Sequence, residues 1–280
     1  MSKFKFRPKS LLVTGGCGFI GSNFINFLLS KKSAPLIVNL DALTYAGNLD
    51  NLSNHINNKN HIFVKGNISD FNQVSKIIKQ YSIDSIINFA AESHVDRSIT
   101  DSNIFFETNV GGTLTLLNAS LKFGIKRYLQ VSTDEVYGSL KDEGYFTELT
   151  RIKPNSPYSA SKASADHFVN SYNKTHNLDT IITRCSNNYG PYQFPEKLIP
   201  LIITNCIDEK PLPIYGDGTN IRDWLYVEDH CSAINNILLN GTIGEKYNIG
   251  GNNEIKNIDI VKKICFILDK LKPRKNNLSY

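Results

Sequence analysis

A short apolar run, Leu11–Thr14, opens directly onto Gly15, Gly18 and Gly21 and onto a stretch with apolar residues at helical spacing, Phe19–Leu29. The G-x-x-G-x-x-G pattern allows a tight strand-to-helix turn, close backbone approach to a pyrophosphate and snug helix–strand packing. The phosphates then sit at the positive end of the helix. A second apolar run, Leu36–Leu40, ends on Asp41, 20 residues after Gly21. A carboxylate there accepts hydrogen bonds from adenosine ribose hydroxyls and repels a 2′-phosphate. No Lys or Arg neighbours Asp41 in the sequence, which favours NAD over NADP as cofactor.

The same alternation continues along the chain. Further strands are expected at Ile62–Lys65, Ser85–Phe89, Tyr128–Ser132 and Thr180–Thr183, with helical patterns at Phe71–Gln80, Asn103–Phe123 and Ala160–His176. Alternation sustained this long predicts an α/β fold: a Rossmann-type doubly wound parallel sheet with helices on both faces. Near Ser186 the texture changes, with Pro191, Pro195, Pro200, Pro211, Pro213, Gly216 and Gly218 close together. The expected division is an NAD-binding domain over 1–186 and a smaller substrate-binding portion over 187–280, ending soon after a helix around Ile258–Leu271. Some segments of the second portion are expected to return to the first. The smaller portion is expected to cap the carboxyl ends of the strands, where ligands sit in doubly wound folds.

Composition narrows the function. The net charge is +5, from 31 Lys+Arg against 26 Asp+Glu, but the basic residues are scattered and form no long run. That argues for a solvated surface with a few cations for an anionic substrate and against a nucleic-acid partner. Cys17, Cys185, Cys206, Cys231 and Cys265 are widely spaced with no C-x-x-C pair, so neither a disulfide framework nor a metal site is expected. The basic amino-terminal stretch lacks the apolar run of a signal peptide, and no segment has the length of a membrane span. The expectation is a cytoplasmic protein with no membrane partner.

Two constellations carry chemistry. Tyr158 and Lys162 lie one turn apart on one face of a helix. A phenol is a poor base near neutral pH. A neighbouring ammonium, together with the positive nicotinamide, is expected to lower its pKa. Ser132-Thr133-Asp134-Glu135-Val136-Tyr137-Gly138 follows the fifth strand. Two consecutive carboxylates cannot both be buried and ionised without cost, and one way to relieve this is for one to stay protonated. An acid beside a base is what a water elimination needs.

With these residues in view, the chain from about Leu11 to about Asp259 resembles the dTDP-glucose 4,6-dehydratases, members of the extended short-chain dehydrogenase/reductase family. The likeness runs through residues 41–48 (DALTYAGN), 90–98 (AAESHVDRS), 184–198 (RCSNNYGPYQFPEKL), 213–218 (PIYGDG) and 221–229 (IRDWLYVED). Relatives that only epimerise at C4 lack the acidic pair of Thr133-Asp134-Glu135. Decarboxylating and GDP-mannose enzymes usually carry Ser where Asp134 stands.

The resemblance implies a lyase working through tightly bound NAD. Tyr158, helped by Thr133, removes the O4 proton while C4 gives hydride to NAD. Glu135 then takes the C5 proton and Asp134 protonates the departing C6 hydroxyl. The hydride returns at C6, giving a 4-keto-6-deoxy sugar nucleotide. By the same resemblance Phe19, Ile20, Asp41, Ala42, Leu43, Thr44, Asn67, Ile68, Ala90, Ala91, Thr108 and Asn188 line the NAD site, with Gly15, Gly18, Gly21, Tyr158 and Lys162. Ser93, Thr133, Asn187, Lys197, Leu198, Pro213, Ile214, Tyr215, Arg222 and Asn257 hold the nucleotide-diphosphate hexose. Arg222 suits the pyrophosphate because its planar fork grips two oxygens. Pro213 and Tyr215 look like contacts to the base.

The sequence departs from the family pattern twice. Asn67 stands where the family usually has an Asp that meets the adenine amino group; its amide oxygen can still accept, with a modest weakening expected. The family also continues into an Arg-Pro-Gly-His-Asp-type segment and a final helix, which this sequence does not contain. UDP-glucose remains an alternative substrate for the same chemistry, and a non-catalytic NAD-binding sensor or scaffold is a reading from another class. The helices Asn103–Phe123 and Ala160–His176 carry apolar residues on more than one side. The equivalent pair in the family resembles a four-helix bundle, so a homodimer is expected.

Overall fold

The computed structural model describes residues 6–140, 144–274 and 279–280. The chain runs β1 (Ser10–Thr14), α1 (Phe19–Leu29), β2 (Leu36–Asp41), β3 (His61–Lys65), α2 (Phe71–Gln80), β4 (Ser85–Asn88), α3 (Val95–Thr100), α4 (Asn103–Phe105), α5 (Thr113–Phe123) and β5 (Arg127–Thr133). It continues with α6 (Pro157–His176), β6 (Thr180–Cys185), β7 (Asn187–Tyr189), α7 (Leu198–Ile207), β8 (Ile221–Tyr226), α8 (Val227–Asn240), β9 (Lys246–Ile249), β10 (Glu254–Lys256) and α9 (Asn257–Leu271).

Seven of these strands form one sheet in the order β3-β2-β1-β4-β5-β6-β9, and every pairing in it is parallel. A parallel sheet is covered on both faces, so its strands read as nearly unbroken apolar runs; every residue of β1 is buried. Side chains alternate between faces. Leu11 and Val13 join Phe24, Ile25 and Leu28 of α1 and Cys231, Ile234 and Leu238 of α8. Leu12 instead joins Val74 and Ile77 of α2, Leu116 and Leu117 of α5, and Val169 of α6. The strand order reverses between β1 and β4, which leaves a crevice at their carboxyl ends.

The part after Ser186 is interleaved with the first. β7, β8 and β10 make a separate three-stranded sheet, and α7 packs on α9 through Ile202, Cys206, Val261 and Leu268. Yet α8 packs on α1 and β9 extends the large sheet beside β6. Among the described residues, no helix is long and apolar enough to cross a membrane.

Two elements differ from the sequence expectation in ways that shape the site. The helix expected over Asn103–Phe123 contains a π-helical stretch, Phe106–Gly112. The widened turns carry Asn109, whose amide bonds the backbone of Glu92 through both ends, at 2.9 and 3.0 Å, and the Ser161 hydroxyl at 2.8 Å. The helix expected from Ala160 starts at Pro157, because Ser156 and Ser159 form a reciprocal cap ahead of it. Tyr158 and Lys162 therefore occupy its first two turns.

Candidate active site

Gly15 has φ +68°, and a Cβ on it would stand 2.6 Å from the Ala90 backbone nitrogen. Gly21 faces the Gly15 carbonyl so closely that no side chain fits. These two positions let β1, the turn and α1 close on one another beside the β4 end. The first turn of α1 has no acidic residue and no side-chain cap, so its N–H groups are free to meet an anion. Asp41 is held at the end of β2 by the backbone N–H groups of Cys17 and Leu43, each at 2.8 Å. Among the described residues no Lys or Arg pairs with it. An uncapped helix start and an unneutralised carboxylate one strand away fit the pyrophosphate and the unphosphorylated ribose of NAD.

A cleft of about 360 Å³ runs from this turn across the carboxyl ends of the strands. Of the residues expected at the cofactor, Gly15, Gly18, Phe19, Ile20, Gly21, Asp41, Ala42, Thr44, Asn67, Ile68, Ala90, Ala91, Thr108, Tyr158, Lys162 and Asn188 line it. So do Ser93, Thr133, Asp134, Glu135, Asn187 and Lys197. Leu43 does not: its side chain packs into the α1 face of the core. Leu198 turns into the α7–α9 cluster, and Asn257 begins α9 with its N–H on the Asn220 carbonyl. Pro213, Ile214, Tyr215 and Arg222 also lie outside the cleft lining, with Tyr215 69% exposed. The cleft has further walls that sequence reasoning assigned no role, among them Glu92, Ser132, Cys185, Gln193 and Glu196. The signal was present, since all but Ser132 stand inside the segments of resemblance.

The chemical residues converge at one end. Thr133 closes β5, and its hydroxyl accepts the Glu135 N–H at 3.2 Å and lies 3.3 Å from Asp134 Oδ1. Burial, then the Glu135 charge, pushes Asp134 up to about 6, against the opposing pull of the Thr133 hydroxyl and Arg222. Burial raises Glu135 as well, with Lys197 and Arg222 opposing. Although Arg222 is outside the cleft lining, its charge thus reaches both acids.

The expected lowering of the Tyr158 pKa combines Lys162 with the positive nicotinamide; from the protein's own groups, burial raises the phenol well above its ordinary value, with Glu135 and Cys185 adding to the rise. The Thr133 hydroxyl opposes the rise. Lys162 directs its ammonium to the Val131 carbonyl at 2.8 Å, and burial lowers its own pKa.

Asn188 is fixed from behind. Its Nδ2 donates to the Ser186 carbonyl at 3.0 Å, which turns its oxygen toward His230 Nδ1 at 2.8 Å. A carbonyl only accepts, so His230 carries its proton on Nδ1. Burial pushes this imidazole down to about 3, which keeps it neutral.

Comparison with known proteins shows the family of the chain. A family profile described as GDP-mannose 4,6 dehydratase matches residues 12–278. The dTDP-glucose 4,6-dehydratase of Xanthomonas campestris pv. campestris strain B100 is 52% identical over 274 residues, covering 95% of this chain and 78% of the relative. That of Salmonella typhimurium is 49% identical over 282 residues, covering 94% and 78%. Among solved structures, the dTDP-glucose 4,6-dehydratase DesIV of Streptomyces venezuelae, with NAD and TYD bound, superposes with a TM-score of 0.90 at 47% identity, covering 96% of this chain and 83% of that one. The Bacillus anthracis enzyme in complex with NAD gives 0.87 at 52% identity, covering 96% and 83%.

Proposed function

The chain belongs to the dTDP-glucose 4,6-dehydratase family, and from that membership we propose that it converts dTDP-glucose to dTDP-4-keto-6-deoxyglucose and water through a tightly bound NAD. The observation that carries the reading is the convergence of Thr133, Asp134, Glu135, Tyr158 and Lys162 at one end of the cleft whose other end is the glycine turn and Asp41.

NAD held by the glycine turn, Asp41 and Asn67 would supply the oxidant for the hexose C4 and, after the elimination, the reductant for C6. The protein moves the protons. Tyr158 takes the O4 proton, with the Thr133 hydroxyl and the Lys162 charge supporting the phenolate. The 4-keto group makes the C5 proton acidic, and Glu135 removes it. Asp134 is the carboxyl kept available as an acid, and it protonates the departing C6 hydroxyl. C5 regains a proton in the last step, so the net change is loss of one water.

Ser93, Asn187 and Lys197 are the cleft residues assigned to the nucleotide-sugar, with Arg222 supplying positive charge from β8. The short sheet β7-β8-β10 with α7 and α9 forms the substrate-binding part of the division read from the sequence. We assign the chain to a homodimer through α4, the π-helical stretch after it, α5 and α6, where Ile104, Phe106, Leu121 and Phe168 are exposed. The deciding experiment is mass spectrometry of the purified protein's products from dTDP-glucose and from UDP-glucose. Loss of one water from dTDP-glucose is expected, and a protein that removes water from neither nucleotide overturns the reading.

A further inference from the structure

Asp166 stands one helical turn beyond Lys162 on α6, as Tyr158 stands one turn before it. Its Oδ2 accepts Arg184 Nε at 2.9 Å, with the two side chains 1% and 2% exposed. Arg184, on β6, also donates Nη1 to the Tyr137 hydroxyl at 2.8 Å and lies over that ring. The Tyr137 hydroxyl in turn donates a hydrogen bond to Asn248 Oδ1 at 2.8 Å. None of these groups is needed for the proton transfers of the dehydration. A buried ion pair is a poor stabiliser, because desolvation consumes most of its attraction, so folding alone does not explain it.

Lys162 supplies the explanation. Its ammonium is buried, with the neutral Val131 carbonyl of β5 as its hydrogen-bond partner. Such a group sheds its proton unless an anion stands near. The titratable groups facing it are Asp166 from its own helix and Cys185 from β6. Burial pushes the Cys185 thiol up to about 12, so that group stays neutral. Tyr158 faces Asp134, Glu135 and Cys185 in turn. Burial raises the Asp166 carboxyl overall, but the Arg184 guanidinium 2.9 Å away holds it as a carboxylate, so Asp166 is the anion one helical turn from Lys162. Against the burial that favours a neutral Asp166 carboxyl, Arg184 is the leading opponent, ahead of Lys162 itself.

We propose that Asp166 is a positioning residue for Lys162: its carboxylate, locked by Arg184, is the buried counter-charge that keeps the Lys162 ammonium charged beside the proton-abstracting Tyr158. The proposal rests on the reading of Tyr158 and Lys162 given above.

The test titrates Lys162 directly by nuclear magnetic resonance, with lysine isotope-labelled at Cε in the NAD-bound protein and the signal assigned by its loss in Lys162→Met. Asp166→Asn leaves Arg184 buried and unpaired and endangers folding, so the double variant Asp166→Asn/Arg184→Met, which removes both charges, is measured beside it. Each variant is expected to lower the Lys162 midpoint by at least about one pH unit, a tenfold change in its charged fraction, and Asp166→Glu to restore it. The pH profile of the first oxidation, followed by NADH absorbance after mixing with dTDP-glucose, is expected to move its rising limb upward in the same variants. A folded double variant with an unmoved midpoint overturns the proposal, as does a loss of rate equal at every pH. A double variant that does not fold also overturns it, because the pair would then serve folding. The midpoint is read without turnover, so absence of dehydratase activity in the wild type sinks the functional reading while leaving the Lys162 result to stand or fall on its own.

Discussion

The Thr133 hydroxyl lies 3.3 Å from Asp134 Oδ1, inside a pocket that pushes the Asp134 carboxyl up to about 6. Near neutral pH such a carboxyl is protonated about a hundredfold more often than an ordinary aspartate. Water elimination is therefore expected to slow as pH rises above about 6. Asp134→Asn should keep NAD bound and slow the elimination by ~10²–10⁴-fold, the loss typical of acid–base help. The linkage has a definite sign. A carboxyl raised in the fold loses stability as pH rises through its folded value, so the amide is expected to be the more stable protein by ~1–2 kcal/mol near pH ~8, with no gain near pH ~3. Thermal melts at the two pH values check this. A variant with unchanged rate rejects the acid role.

Tyr158 is raised by burial and by the two acids beside it, so it works as a base only when positive charge reaches the phenol. Tyr158→Phe keeps the ring packed against Phe105, with centroids 6.3 Å apart, and removes the one atom that takes the O4 proton. Mixed with dTDP-glucose, it should show no transient NADH absorbance while still binding NAD. A normal absorbance burst would assign the base to another side chain.

Asn67 is expected at the adenine, and its amide oxygen already accepts the Ser69 N–H at 2.9 Å. One lone pair remains for a ligand donor. Asn67→Asp puts a charged acceptor at the same place, and a charge-assisted hydrogen bond is stronger than a neutral one by about 1 kcal/mol. NAD affinity measured by calorimetry is expected to rise about fivefold. Unchanged or weaker binding would place the adenine amino group elsewhere.

The parallel core was legible because strands buried on both faces, such as β1, β2 and β5, appear as apolar runs that helices separate. The glycine turn, Asp41, the acidic pair and Tyr158–Lys162 were legible because their chemistry depends on short-range spacing. Other features depend on distant packing. The π-helical turns at Phe106–Gly112 exist to bring Asn109 onto Glu92 and Ser161, and no local pattern announces such contacts. The three-residue strands β7 and β10 are too short to show a period. The burial that raises the Tyr158 phenol also comes from packing, which a four-residue spacing does not report. Pro213–Tyr215 and Arg222 came from resemblance, and the cleft is lined without them.

The exposed apolar residues on the helical face supply the last prediction. Phe106 is 65% exposed and Ile104 43%, and the segment carrying them packs beside α6, where Phe168 is also exposed. Apolar rings grouped on adjacent helices mark a contact surface. In a two-fold dimer each interface residue acts twice. Burying one Phe is worth about 1.5–3 kcal/mol, so Phe106→Glu is expected to weaken association by ~3–6 kcal/mol, or ~10²–10⁴-fold in the dissociation constant. Sedimentation at micromolar concentration should show a dimer for the wild type and a monomer for the variant. A wild-type protein that sediments only as monomer removes the dimer from the reading, and a variant that stays dimeric moves the interface off this face.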